Sequence, residues 1–187
     1  MPIEDRRTRE REARRQLIIT TARRLAEDEG WDAVTTRRLS TEIEYSQPVL
    51  YTHFANMDEL ARAVAIDGFA QLTQLLRDAR ADAATPDDAL RRLARAYADF
   101  GRQNPALYDV MFTRSTTLPF ATDDTPPELE AGFAELREVV AGHDDADTFA
   151  EVLWSALHGL VTLGRSHRLR ATHDDARLDL LLAQLSS

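Results

Sequence analysis

Apolar residues recur every three to four positions along almost the whole of this 187-residue chain. Nowhere do they alternate as they would along a half-buried strand. That spacing is the period of a helix face, so the chain is expected to be all-α. The first helix is predicted over 8–29, with Ala13, Leu17, Ile18, Ala22 and Leu25 on one face and Gly30 as its stop. An arginine-rich arm, Arg6, Arg7, Arg9 and Arg11, leads into it. Two short helices follow, near 36–43 and 47–53. Thr35 or Thr36 can cap the first and Ser46 the second, with Pro48 tolerated in the opening turn. Only Glu44 and Tyr45 connect them, which allows nothing but a tight helix–turn–helix. Asn56 and Glu59 form a capping-box-like start for a long helix to about 81. Further helices are predicted from Thr85-Pro86 to about 103, from Pro105 to Phe112, and over 127–141, 145–165 and 173–185. The segment 114–127 holds three prolines and reads as a loop.

The apolar stripe of 145–165 is too wide for an ordinary surface helix. Phe149, Val152, Leu153, Ala156, Leu157, Leu160 and Val161 are flanked by Trp154, His158 and Leu163. A helix apolar over so much of its circumference is covered on two sides. One cover is its own core, and the other is expected to be a partner chain. The dimer surface is expected at Leu153, Leu157 and Leu160, with Leu178, Leu181 and Leu182 of the last helix. With their symmetry mates these two helices would make a four-helix bundle.

Charge and cysteine usage narrow the function. Cysteine is absent, which excludes disulfide scaffolds, Cys-ligated metals and cysteine nucleophiles. No apolar run reaches the about 18 residues of a membrane helix, so no membrane partner and a cytoplasmic location are expected. The net charge of −9 argues against a simple electrostatic nucleic-acid binder, but it is unevenly spread. Residues 1–24 carry eight arginines against four acids, and the excess acidity lies entirely beyond residue 55. All 23 basic residues are arginine. No serine sits in a nucleophile elbow, and the histidines, including His167 and His173, lack a metal spacing. Neither catalytic residues, metal nor cofactor are expected.

Residues 30–60 read GWDAVTTRRLSTEIEYSQPVLYTHFANMDEL. Gly30 with Trp31, the run Ala33 to Leu39, Ser46-Gln47-Pro48, Leu50-Tyr51, His53-Phe54 and Asp58-Glu59-Leu60 fall in the order and spacing of one known motif. The stretch resembles the DNA-binding domain of the TetR family of transcriptional regulators. Farther on, NPALYDVMF over 104–112 and LWSALHGL over 153–160 resemble a subgroup whose C-terminal domain carries Trp-x-x-x-His-Gly. The resemblance implies a helix-turn-helix domain over 1–56 and a helical ligand-binding and dimerisation domain over 57–187.

On that reading Gln47 offers an amide for adenine edges, and Pro48 and Val49 meet a thymine methyl. Tyr51, Thr52 and His53 contact phosphate or sugar, with the Tyr51 ring turned inward and its hydroxyl outward. Thr35 and Thr36 mark a helix N-terminus suited to phosphate, Arg37 adds a groove or backbone contact, and Ser46 opens the reading helix. Phe54 belongs to the small core. Two positions depart from the family pattern: Glu44 replaces a turn glycine and Met57 replaces a phosphate-binding lysine. Affinity is therefore expected to lean on the N-terminal arginines.

The resemblance also implies a largely apolar small-molecule effector held between helices. Tyr97, Phe100, Tyr108, Met111, Phe112, Phe120, Phe133, Trp154 and His158 are the candidate lining, each also able to serve as ordinary core. The expected function is a homodimeric repressor of the TetR type, released from double-stranded operator DNA by its effector. The alternative is a helical interaction protein of the same fold with weakened or lost DNA binding, favoured by Glu44, Met57 and the acidic charge.

Overall fold

The computed structural model describes residues 3–114 and 118–185. Its α-helices in chain order are α1 (Ile3–Glu29), α2 (Thr36–Ile43), α3 (Gln47–Tyr51), α4 (Met57–Ala81), α5 (Pro86–Gln103), α6 (Pro105–Tyr108), α7 (Pro127–Glu138), α8 (Ala146–Arg165) and α9 (Asp174–Leu185). A 3-10 turn precedes α2 (Trp31–Ala33) and another precedes α9 (Ala171–His173), while a π-helical turn, Asp109–Thr113, follows α6. No strand occurs among the described residues, and none of their helices is long and apolar enough to cross a membrane. Of the loop expected over 114–127, residues 115–117 lie outside the described residues.

Local chemistry sets these boundaries. Thr35 Oγ1 accepts from Arg38 N at 3.2 Å, Thr85 Oγ1 from Asp88 N at 3.2 Å, and Asp145 Oδ1 from Thr148 N at 3.1 Å. Each satisfies a backbone donor that a helix start leaves without an intrahelical partner. At α4, Asn56 Oδ1 accepts from Glu59 N at 2.8 Å and Glu59 reaches back to Ala55 N at 2.6 Å. Gly30 leaves α1 at φ 84°, a conformation that side chains disfavour. α1 begins at Ile3, earlier than the apolar period indicates. Arg6 pairs with Glu10 one turn on at 3.5 Å, and Arg9 Nε donates to Asp5 O at 3.3 Å. Such side-chain links support exposed turns that no core stabilises.

The chain divides into two compact units. The first is Met1–Gly68 together with Ala106–Leu118. Ile18, Ala22 and Leu25 of α1, Leu39 and Ile43 of α2, Leu50 of α3, Phe54, and Leu60 and Val64 of α4 fill its interior. Arg38 ties α1 to α2 through Glu29 and is also paired with Glu42, both at 2.8 Å, and Arg24 pairs with Glu42 as well. The segment from Ala106 is fastened to the end of α1. Glu27 accepts from Ala106 N at 3.0 Å and from Leu107 N at 2.9 Å, and Trp31 Nε1 donates to Ala106 O at 2.8 Å. Gly68 permits close packing beside it: a Cβ there would lie 2.7 Å from Met111 Sδ and 2.8 Å from Leu107 Cδ1.

The second unit is Phe69–Pro105 with Pro119–Ser187. Within it α8 packs against α5 and α7, and α9 against α5. Leu93, Ala94 and Tyr97 of α5, Leu153, Leu157 and Val161 of α8, and Leu178 and Leu182 of α9 make its interior. Glu135 of α7, only 6% exposed, is paired with Arg77 at 2.9 Å and Arg80 at 3.0 Å on α4. Burial of that carboxylate is compensated by two guanidinium groups, as a buried charge requires.

This interior corrects the dimer surface expected from sequence. Leu153, Leu157, Leu178 and Leu182 are buried inside their own unit, so they present nothing to a partner. Leu160 and Leu181 are half-buried. On α8 and α9 the large apolar side chains that are exposed are instead Val152 (52% exposed), Leu163 and Leu180 (65% exposed).

Candidate nucleic-acid interface

The geometry of α2 and α3 follows from a handful of residues. Thr35 caps the first helix, and Glu44 ends it in the left-handed conformation at φ 56°, ψ 32°. The N–H groups of Glu44 and Tyr45 both donate to Ser40 O, which closes the turn. A glycine adopts that conformation without penalty, whereas any other residue costs on the order of 1–2 kcal/mol. Glu44→Gly is therefore expected to raise stability by about 1 kcal/mol. Urea unfolding measures it, and a lower midpoint would show that Glu44 makes a compensating contact.

Ser46 starts α3 at φ −71°, ψ 150° but makes no side-chain cap bond, so the expected capping role is not seen. Pro48 sits in the first turn, where its missing N–H is harmless. Leu50 and Phe54 point into the core and fix the helix on its base. The residues ahead of Leu50 are outward: Ser46, Gln47 and Pro48 are exposed, and Val49 is 36% exposed. They form one short, mixed polar and apolar edge, the composition that base edges in a major groove match.

The flanking residues are less uniform. Tyr51 is 55% exposed. This corrects the expectation that its ring packs inside, a place that Leu50 and Phe54 take on this segment. Thr52 is exposed, and its hydroxyl donates back to Val49 O at 2.7 Å. Thr35 and Arg37 are exposed at the start of α2. Thr36 is half-buried, and its hydroxyl points at Met57 Sδ, 3.6 Å away. His53 is half-buried, and desolvation pushes its pKa below the usual histidine value. Arg11, Arg14 and Arg15 lower it further, and Glu12 opposes them. The Arg15 guanidinium lies 4.5 Å from the centre of the Phe54 ring, a cation–π contact. Sequence periodicity left Arg14 and Arg15 unremarked. Their spacing to the buried Ile18 and Ala22 on the same helix face was the available signal.

The effector candidates divide between the units. Tyr108 and Met111 are buried in the first unit, where Tyr108 packs 4.6 Å from Phe112 between ring centres. Tyr97, Phe100, Phe133, Trp154 and His158 belong to the second. There Trp154 Nε1 donates to Tyr97 Oη at 3.1 Å, and the indole meets Phe120 at 6.4 Å and Phe133 at 6.5 Å. His158 Nε2 lies 3.4 Å from Thr162 Oγ1, and burial followed by Arg165 lowers its pKa. No group of residues able to hold a metal ion occurs among the described residues.

Comparison with known proteins agrees with this geometry. Residues 18–64 match the family described as bacterial regulatory proteins, tetR family, and residues 90–185 match the tetracyclin repressor-like C-terminal domain. The chain is 33% identical over 156 residues to an uncharacterized HTH-type transcriptional regulator, Rv0681, of Mycobacterium tuberculosis. That match covers 80% of this chain and 69% of the relative. It is 30% identical over 123 residues to the tetracycline repressor protein class C of Escherichia coli, covering 66% of this chain and 52% of that one. Among solved structures, a protein of unknown function from Rhodococcus sp. RHA1 superimposes with a TM-score of 0.74 at 24% identity, covering 91% and 92% of the two chains. A TetR variant from Acinetobacter baumannii, solved in complex with minocycline, shares the fold with a TM-score of 0.64 at 18% identity, covering 90% and 91%. With its helix-turn-helix head and its C-terminal helices both matched, the chain belongs to the TetR family of DNA-binding transcriptional regulators, a family of regulators and not of enzymes.

Proposed function

We propose that this protein is a homodimeric repressor that binds a two-fold operator through α3 and leaves it when an effector binds the C-terminal helices. The observation that carries the reading is the outward edge Gln47–Val49, held on a buried Leu50 and Phe54. Gln47 reads an adenine edge through its amide, and Pro48 and Val49 meet a neighbouring methyl. Tyr51, Thr52, His53, Thr35 and Arg37 set the register through phosphate and sugar. Thr36 has a smaller part, because its hydroxyl is engaged with Met57.

One head reads only a few base pairs, so tight binding needs a second copy. The dimer face is the outward row of α8, Val152, Ala156, Gly159 and Leu163, beside Leu180 of α9. Val152, Leu163 and Leu180 are exposed large apolar groups. The small residues Ala156 and Gly159 lie between them at helical spacing, which lets two helices approach closely. The effector is an apolar, ring-bearing molecule, because Trp154, Phe120 and Phe133 gather in the second unit beside the hydrogen bond from Trp154 to Tyr97. Effector binding shifts the population away from the form whose two heads stand about one DNA turn apart, ~34–36 Å. The chromosome is its partner, which places its work in the cytoplasm.

Gln47→Ala tests the readout. Loss of a bidentate amide contact costs about 1–3 kcal/mol, or about 5- to 150-fold in operator affinity, and relaxes preference at one base pair per half-site. Gel shifts with the preferred duplex and single-base variants measure both. Unchanged affinity together with unchanged preference would remove Gln47 from the readout.

A further inference from the structure

The turns of α1 that precede the core have no packing role, yet they carry an ordered set of charges. Residues 5–14 are exposed throughout. At the helical period, Arg7, Arg11 and Arg14 continue the stripe of Ile18, Ala22 and Leu25, the stripe by which α1 faces the rest of its unit. Beyond the core that same face becomes arginine. Its lower end reaches the segment that follows the reading helix: Arg11 and Arg14 act electrostatically on His53, and Arg15 rests on the Phe54 ring.

The remaining charges of these turns are arranged differently. Arg6 is spent on Glu10, and Arg9 on the Asp5 carbonyl. Among the described residues no ion pair engages Arg7, Arg11 or Arg14. Glu12 is the single acid acting on His53 against these arginines.

From this we infer that Arg7, Arg11 and Arg14 form a second DNA-binding element, a helical rail that grips backbone phosphates flanking the groove entered by α3. The inference rests on the DNA-binding reading above. Guanidinium groups suit it, because they pair with phosphate through two parallel hydrogen bonds and remain charged at every physiological pH. The rail carries no sequence information; it adds affinity and length to the footprint.

The test uses the full chain, a mixed-sequence duplex of about three helical turns, and anisotropy titrations over a range of potassium chloride. Each phosphate contact adds about 0.9 to the slope of log affinity against log salt. The triple variant Arg7→Gln, Arg11→Gln, Arg14→Gln is expected to lower that slope by about 2.7 per bound chain and to weaken low-salt binding at least about tenfold. Glutamine keeps the helix propensity, so circular dichroism should be unchanged. Arg6→Gln with Arg9→Gln, on other faces of the same turns, should change the slope by less than about 1. A triple variant with the wild-type slope, or a control pair with an equal loss, overturns the rail. Loss of binding to phosphatidylglycerol vesicles with an unchanged DNA slope also overturns it, by assigning the arginines to a membrane surface. A wild-type protein that shows no salt-dependent DNA binding defeats the underlying reading itself, a result distinct from a wild type that binds with a slope the triple variant shares.

Discussion

Gly159→Arg is expected to leave the protein folded but monomeric, and to weaken operator binding by about a hundredfold or more. Within the chain the substitution is harmless: a Cβ at Gly159 would meet nothing within 4 Å. In a helix interior, arginine also improves on glycine by up to about 1 kcal/mol. The harm comes from what must cover that face. Val152 and Leu163 flank the position with their side chains in solvent, and Leu180 stands out from α9. A partner helix seated there would bury an unpaired guanidinium, which costs several kcal/mol, on the order of 3–5. Light scattering reads the mass, and a gel shift reads the loss of the second half-site. A dimer with wild-type DNA affinity would move the interface to another face.

The second large effect is expected at Glu27→Ala. The Glu27 carboxylate receives both Ala106 N and Leu107 N, the first donors of α6. Hydrogen bonds to a charged group are worth about 1.5–3 kcal/mol each, and removing the shared acceptor strands two part-buried donors together. A loss of about 3–6 kcal/mol follows, or roughly 6–24 °C in melting temperature for a chain of this size. Glu27→Gln retains one neutral acceptor and should lose about half as much. Trp31→Phe, which removes only the indole donor to Ala106 O, should lose about 1 kcal/mol. Equal melting temperatures for all three variants and the wild type would show that this fastening contributes nothing to the first unit.

These two sites also mark where sequence reading succeeds and where it stops. α2 falls at Thr36–Ile43, and the Asn56–Glu59 start of α4 and the Thr85 cap of α5 are present, because each depends on residues within a turn of one another. The outward edge Gln47–Val49 was legible for the same reason. Four of the six expected dimer leucines, Leu153, Leu157, Leu178 and Leu182, are core instead, because a periodic stripe shows only that a face meets apolar neighbours, and not whether those neighbours belong to the same chain. Leu153 and Leu157 meet their own unit; Val152 and Leu163, on the far side of the same helix, do not. The Glu27 bonds join residues 79 and 80 apart in sequence, beyond the reach of any local pattern. α1 extended to Ile3 because its first turns are supported by Arg6–Glu10 and Arg9–Asp5 links that leave no apolar signature.

Charge follows the same division. The total of −9 obscures a head whose first 24 residues hold eight arginines against four acids. The acidity beyond residue 55 discourages non-specific coating of DNA by the rest of the molecule.

The central claim is that two copies of this head read a symmetric site. Selection of bound duplexes from a random-sequence pool by the purified wild-type protein tests it most directly. The account predicts enrichment of an inverted repeat whose half-site centres lie about one helical turn, or a whole number of turns, apart. Enrichment of a sequence without two-fold symmetry, or no enrichment at any salt concentration, would contradict it.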